Sequence, residues 1–148
     1  MFKKILVPLD GSPLSEAVLP QVSALAKCSD AEVILLRVIP TPIYDLVFGS
    51  TTTLPLQANP EYDTRTLAEA YLDRVMTEHF PGNGGVRLEV IGGFSADVIL
   101  EYAAGEGVDL IAMSTHGRSG ISRLFLGSVA AEVVQDSHLP VLLVRPNV

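Results

Sequence analysis

The chain has 148 residues, of which 48% are hydrophobic and 18% are charged, so it is long and apolar enough for one domain with a sizeable core. This composition, with Cys28 as its single cysteine, excludes disordered, collagen-like and disulfide-stapled chains. The net charge of −7 comes from 17 acidic and 10 basic residues. It argues against nucleic acid or an anionic membrane as a partner, since both need a basic surface, but a local site for one small anion is compatible with it.

No apolar run reaches the roughly 18 residues that a membrane-spanning helix needs. Met1 to Lys4 have the basic start of a signal peptide, but Pro8, Asp10 and Gly11 interrupt the apolar segment that follows. We therefore expect a strand there instead of a leader. The lone cysteine, which cannot form an internal disulfide, favours a cytoplasmic location.

Strands and helices are predicted to alternate along the chain, because short apolar runs are separated by segments with helical spacing. In chain order we expect a strand at 3–9, a helix at about 13–28, a strand at 32–39, a helix at about 62–79, a strand at 86–91, a helix at about 96–105, a strand at 108–113, a helix at about 128–137 and a strand at 140–145. This alternation predicts a single α/β domain over residues 1–148, with a doubly wound, five-stranded parallel sheet and helices on both faces.

Four of the predicted strands are apolar almost throughout, as in a parallel sheet that is covered on both faces. The strand at 86–91 differs, because Val86, Leu88 and Val90 alternate with two charged residues. The alternation predicts one wetter face and a position near an edge of the sheet.

Helix starts and inward faces also follow from the pattern. We expect Ser12, followed by Pro13, to cap the first helix and Ser95 to cap the third. The inward faces are predicted to carry Leu67, Ala70, Tyr71, Val75 and Met76 in the second helix and Val129, Val133 and Val134 in the fourth. Cys28 is expected to be a packed small residue at the end of the first helix.

Two long connections remain. Residues 40–61 contain four prolines and only two charged residues, and a loop of this length is usually functional or mobile. Two interpretations stay open for it: a lid over a ligand, or a disordered segment. Residues 114–127 form the second connection, which is rich in serine, glycine and arginine.

Ligands of doubly wound sheets bind beyond the carboxyl ends of the strands, where the strand order reverses. The residues after the first strand (Asp10, Gly11, Ser12) and the segment after the fourth (114–120) are therefore the candidates. Neither contains the G-x-x-x-x-G-K-[ST] or G-x-G-x-x-G phosphate motif, and 117–120 misses the G-x-S-x-G nucleophile elbow by one residue. An ordinary P-loop NTPase, an NAD-binding domain and an α/β-hydrolase are thus disfavoured.

The connection after the fourth strand has instead the composition of a phosphate cradle. Gly117 and Gly127 let backbone N–H groups approach phosphate oxygens closely, and Gly127-Ser128 opens a helix whose N-terminus attracts anions. Arg118 can add a charge-assisted contact. Across the predicted cleft, Asp10 can accept hydrogen bonds from a ribose or help to hold a cation.

These residues resemble the universal stress proteins of the ATP-binding type, whose signature is G-x-x-G, nine residues, then G-[ST]. This chain reads Ser114-x-x-Gly117, nine residues, Gly127-Ser128, and residues 5–12 and 140–144 are also similar to that family. The departure is Ser114 in place of the first glycine. Serine is small and keeps a hydroxyl, so binding survives unless the position requires a positive φ.

The resemblance implies ATP as the ligand, and because ATP carries Mg²⁺ or Mn²⁺ in most protein sites, we expect such a cation with it. The resemblance also implies roles for twelve binding residues: Pro8, Leu9 and Asp10 around the adenosine, Val38 as a backbone partner of adenine, Ser114, Gly117, Arg118, Gly127, Ser128 and Val129 around the phosphates, and Met113 and Thr115 as further contacts. The implied strand order is 3-2-1-4-5. No metal site built by the protein is expected, because the histidines are scattered.

The last strand, 140–145, is apolar and would lie at an edge, which predicts a homodimer through it, the usual arrangement in the resembling family. The function we expect is a dimeric, ATP-binding regulatory protein of the stress response, with ATP as a conformational ligand and without fast catalysis. Two alternatives stay open. One is a slow ATP hydrolase or phosphoryl- or adenylyl-transfer enzyme that uses His116 or Asp10; the other is an interaction module that has lost nucleotide binding.

Overall fold

The chain alternates strands and helices, as a computed structural model shows for residues 1–40, 60–82, 84–115 and 126–147, with only the backbone of 60–63 described. The elements are β1 (Lys4–Leu9), a short 3₁₀ helix (Ser15–Val18) that runs into α1 (Leu19–Ser29), β2 (Glu32–Ile39), α2 (Pro60–His79), β3 (Val86–Gly92), α3 (Ser95–Gly105), β4 (Leu110–Ser114), α4 (Ser128–Asp136) and β5 (Val141–Val144). In these ranges no helix is long and apolar enough to cross a membrane.

The five strands form one parallel sheet in the order β3-β2-β1-β4-β5. The predicted fold class and strand order are therefore confirmed. Because β1 pairs with β2 on one side and with β4 on the other, the chain order reverses between β1 and β4. A crevice opens at that point, beyond the carboxyl ends of the two strands.

Each face of the sheet has its own apolar layer, which explains why the inner strands are mostly apolar, with charged residues only near their ends. In β1, Ile5 and Val7 pack with residues of α1 and α2 on one face, whereas Leu6 packs with residues of α3 and α4 on the other. All three side chains are fully buried. Successive side chains of a strand point to opposite faces, so the central positions of a strand that is covered on both faces are apolar.

The two edges of the sheet differ in chemistry. At β3, the predicted edge strand, Arg87 and Glu89 are half-buried, and Arg65 of α2 donates from Nη1 to the Val90 carbonyl at 3.0 Å. At the other edge, β5 (Val141–Val144) has four half-buried aliphatic side chains and no charge. Charges on an edge strand discourage pairing with another chain, and an apolar edge invites it.

Several helix details were predicted wrongly. Ser12 does not cap an α-helix: its Oγ accepts a hydrogen bond from the Ser15 N–H at 3.2 Å, at the start of the 3₁₀ helix, and α1 begins only at Leu19. Ser95 is the first residue of α3, and Phe94 occupies the cap position without a side-chain bond. Cys28, expected to be packed, is exposed.

The inward face of α2 was predicted correctly in its second half and wrongly in its first. Val75 is buried, and Tyr71 and Met76 pack against the same core from partly buried positions. Leu67 is 72% exposed and Ala70 is exposed as well, and the sheet buries Ala68 and Leu72 instead. In α4, similarly, Val133 is buried but Val134 is 41% exposed.

A charged network lies at the amino ends of the strands, opposite the crevice. Arg87 donates from Nη2 to the Tyr102 hydroxyl at 2.8 Å and to the Glu106 carboxylate, and its Nη1 lies 3.5 Å from Glu32. Lys4 adds a hydrogen bond from Nζ to the Glu106 carbonyl at 2.8 Å. The hydrogen bond from Arg87, helped by its charge and that of Lys4, lowers the pKa of Glu106.

We expect Glu106→Gln to destabilise the protein at pH 7 but not in acid. A carboxyl whose pKa is lower in the folded than in the unfolded chain contributes stability above its unfolded pKa of about 4.3, and the contribution is lost as the pH falls through the folded pKa. Urea unfolding at pH 7 and pH 3 measures the difference, with Glu101→Gln, an exposed position of α3, as control. An equal loss at both pH values would contradict the prediction.

Candidate functional site

The crevice at the strand-order reversal is a cleft lined by the carboxyl ends of three strands, by residues of α3 and α4 and by the start of the 3₁₀ helix. It has about 610 Å³ of space, including the part that is open to solvent. Its walls include eight of the twelve binding residues predicted from the sequence, namely Pro8, Leu9, Asp10, Val38, Met113, Ser114, Thr115 and Val129. Gly127 and Ser128 lie beside it at the start of α4, while Gly117 and Arg118, like His116 and the segment 41–59, are outside the described residues.

The chain leaves β1 through a turn that is closed by its own hydrogen bonds. Asp10 accepts at Oδ1 from the Ser12 N–H at 2.8 Å, and Ser15 donates from Oγ to the Ser12 carbonyl at 2.8 Å. Gly11 between them has a φ of +88°, which a residue without a Cβ adopts readily. The turn keeps Asp10 exposed at the rim of the cleft.

Ser114, the departure from the family signature, adopts no left-handed backbone. Among the residues whose conformation is described, Asp30 is the one non-glycine with a positive φ, so position 114 does not require glycine for that reason. The Ser114 hydroxyl donates to the Ser15 carbonyl at 3.1 Å. The side chain therefore ties the end of β4 to the 3₁₀ helix.

The N-terminus of α4 faces the same end of the sheet. Gly127 is its cap residue, with φ of +85° and ψ of 148°, and no side chain of the described ranges caps the helix. The first N–H groups of a helix have no partner within the helix. The helix dipole favours an anion at this end of α4, close to its first N–H groups.

The other residues that line the cleft were not predicted from the sequence. Leu36, Ile99, Leu126 and Ala130 add apolar surface, and Ser15, Arg37 and Ser95 add polar groups. Within the described part of the chain, Arg37 is the one cation and Asp10 the one carboxylate that line the cleft. Arg37 lies within a largely apolar strand, and only the tertiary structure shows that its guanidinium lies at the carboxyl end of β2 and lines the cleft.

No group of three or more histidine, cysteine, aspartate or glutamate side chains is placed to hold a metal ion in the described ranges.

The fold and the cleft define the class of protein: it is a doubly wound α/β protein with a ligand-sized cleft where the strand order reverses. The cleft has polar residues at its rim and apolar residues at its floor. Residues 1–145 match the model of the Universal stress protein family, and the chain belongs to this family.

Two curated relatives match this chain over nearly their whole length. The chain is 31% identical to Universal stress protein MJ0577 of Methanocaldococcus jannaschii, over 98% of this chain and 96% of that protein. The solved structure of MJ0577 superposes with a TM-score of 0.81 at 30% identity and covers 100% and 99% of the two chains. Universal stress protein YxiE of Bacillus subtilis is 34% identical, over 98% and 100%.

The same fold recurs at lower identity. A universal stress protein solved in complex with cAMP superposes with a TM-score of 0.68 at 21% identity, over 99% of this chain and 98% of that one.

Proposed function

We propose that this universal stress protein binds ATP in the cleft between β1 and β4 and uses it as a conformational signal, not as the substrate of a fast reaction. The observation that carries the proposal is the N-terminus of α4, which no side chain of the described residues caps, beside the ends of β1 and β4. It offers backbone donors for phosphates next to an apolar floor for a base.

At the phosphate end, the N–H groups of Ser128 and Val129 would bind phosphate oxygens, since both residues lie in the first turn of α4. Gly127 adopts a backbone conformation that is open almost exclusively to glycine. Because it has no side chain, a phosphate group could approach these N–H groups closely. Gly117 and Arg118, in the signature segment between β4 and α4, would complete the contacts.

At the other end, the base and sugar would lie against β1 and β2. Pro8, Leu9 and Val38 are buried residues of the strand ends that line the cleft, and a planar base replaces water there with apolar contact. Asp10, exposed at the rim, would accept hydrogen bonds from the ribose hydroxyls.

The donor set suits a nucleotide-borne cation. Mg²⁺ is usually held by one or two carboxylates together with the phosphates of its nucleotide. Asp10 is the carboxylate on the described walls, so Mg²⁺ or Mn²⁺ would arrive with ATP and contact this side chain. Such an ion would neutralise phosphate charge in a protein whose own net charge is −7.

Regulation requires that ATP favour one conformation over another. The segments 40–59 and 115–127 both start or end at the cleft, since they continue from β2 and connect β4 to α4. We propose that nucleotide binding changes the state of one of these segments and that a partner protein recognises the result.

We also propose a homodimer through β5. Its edge is apolar, whereas the opposite edge at β3 is charged and covered by Arg65. Two copies that pair their β5 strands around a twofold axis would form one continuous sheet.

Calorimetric titration of the nucleotide-free protein with Mg-ATP tests the proposal. We expect saturable binding with one site per chain and a weaker response to cAMP, which has a single phosphate to offer α4. A folded protein that binds neither nucleotide would rule out the proposed function, and cAMP binding alone would replace ATP as the ligand.

A further inference from the structure

A backbone acceptor at the end of β2 faces the base side of the cleft. The Ile39 carbonyl accepts from Gly93, on the β3 side, so the neighbouring Val38 carbonyl points the other way, toward β1. However, β1 ends at Leu9, which lies opposite Arg37. The Val38 carbonyl therefore lies beyond the last paired residue of β1, inside the opening of the cleft.

The guanidinium of Arg37 bonds this carbonyl. Its Nη1 donates to Val38 O at 2.6 Å, a short distance that is typical of a charge-assisted hydrogen bond. The side chain also passes close to the turn after β1, because a Cβ built on Gly11 would lie 3.9 Å from Arg37 Nε. Arg37 thus spans the opening between the ends of β1 and β2.

This contact changes what the base end of the cleft can recognise. A carbonyl accepts a hydrogen bond from the amino group of adenine, but here one of its two lone pairs is occupied by a guanidinium, which has donors only. The remaining N–H groups of Arg37 can bind acceptors on a ligand, and a positive charge next to an amino donor is unfavourable. Paired acceptors such as O6 and N7 of a 6-oxopurine are the partners that arginine recognises best on bases.

We infer that Arg37 is a specificity-determining residue that makes the site bind 6-oxopurine nucleotides, such as ITP and GTP, at least as tightly as ATP. The inference rests on the proposed nucleotide site and names which base that site prefers. Leu36, Val38 and Ile99, the apolar walls beside Arg37, have side chains that do not distinguish one purine from another, so the discrimination falls to the guanidinium.

The test compares ATP with ITP, which differ at purine position 6 and in the proton on N1. Dissociation constants are measured by calorimetry for the wild type and for Arg37→Met, which keeps the length of the side chain without its charge. Arg65→Met is the matched control, because Arg65 also donates to a strand carbonyl but lies away from the cleft. Arg37→Lys, which retains the charge, serves as the second variant.

We expect wild type to bind ITP at least as tightly as ATP, and Arg37→Met to shift the ratio of the two dissociation constants toward ATP by about tenfold or more. Arg65→Met leaves the ratio within about twofold, and Arg37→Lys gives an intermediate shift.

Two results would overturn the role of Arg37 without affecting the nucleotide site. One is the same ratio of ATP to ITP dissociation constants in wild type and in Arg37→Met, and the other is a wild type that binds ATP ten times more tightly than ITP. Should Arg37→Met not fold, an unchanged ratio in Arg37→Lys has the same meaning. Absence of binding of either nucleotide to wild type overturns the nucleotide site itself.

Discussion

Gly127→Ala is expected to weaken ATP binding by about tenfold to a hundredfold while the protein stays folded. Gly127 has φ of +85° and ψ of 148°, a region in which a residue with a Cβ is strained by about 1–3 kcal/mol. Relief of this strain moves the first turn of α4, and with it the N–H groups proposed to bind phosphate. Calorimetry with Mg-ATP measures the loss.

Gly107→Ala is the matched control for this prediction. Gly107 also has a positive φ, of +66°, with no atom within 4 Å of a Cβ built on it. It lies between α3 and β4, at the end of the sheet away from the cleft. Both variants carry backbone strain, so both should melt at a lower temperature than wild type. If ATP affinity falls equally in the two, or in neither, α4 does not bind the phosphates.

Leu143→Pro is expected to convert a homodimer into a monomer. The carbonyls of Pro140 and Val144 accept hydrogen bonds from β4, so the backbone of Leu143 faces outward along the free edge. Proline removes this outward N–H without removing a bond to β4, and proline is tolerated in edge strands at such positions. One chain has a mass of 15.8 kDa, and sedimentation equilibrium at micromolar concentration distinguishes one chain from two.

Leu143→Ala separates the loss of the side chain from the loss of the N–H. It removes apolar contact that Leu143 makes with the core layer of α3 and α4, at a cost of about 1–2 kcal/mol for a half-buried leucine, but it keeps the edge hydrogen bond. We expect Leu143→Ala to remain a dimer. A monomeric wild type, or a dimeric Leu143→Pro variant, would show that β5 does not pair between copies.

The two predictions concern separate parts of the fold, which makes their outcomes independent. Gly127 lies at the start of α4 beside the cleft, and β5 lies at the edge of the sheet. A variant that loses ATP but remains dimeric would place the nucleotide signal within one protomer. If instead Leu143→Pro also loses ATP affinity, dimer formation and nucleotide binding are coupled, and linkage requires ATP to strengthen the dimer in turn.

Local pattern determined much of this fold. Apolar runs predicted the four strands other than β3 within one or two residues at each end, because a strand buried on both faces is apolar along most of its length. The alternating residues of β3 predicted its edge position, which the sheet order confirms. The spaced glycines led to the hypothesis of a phosphate site, and the structure shows that one of them, Gly127, has a positive φ, a conformation that glycine adopts readily.

Tertiary packing decided what a local pattern leaves ambiguous. Two apolar series fit the periodicity of α2, and only the shape of the sheet buries Leu72 in place of Leu67. From the sequence, Ser114 is only a departure from the family motif. The structure gives it a role, because its hydroxyl donates to the carbonyl of Ser15, 99 positions away in the chain.

Arg37 is the clearest case of this division. In the sequence it is one charged residue in an apolar strand, and it enters the cleft only because β1 ends opposite it and exposes the Val38 carbonyl. The sequence by itself thus determined the strands, the class of fold and the signature. Which face of each helix is buried, and the presence of the Arg37 side chain in the cleft, depend on which distant segments of the chain meet. The spacing of apolar residues does not contain this information, because packing and strand register set the direction of a side chain.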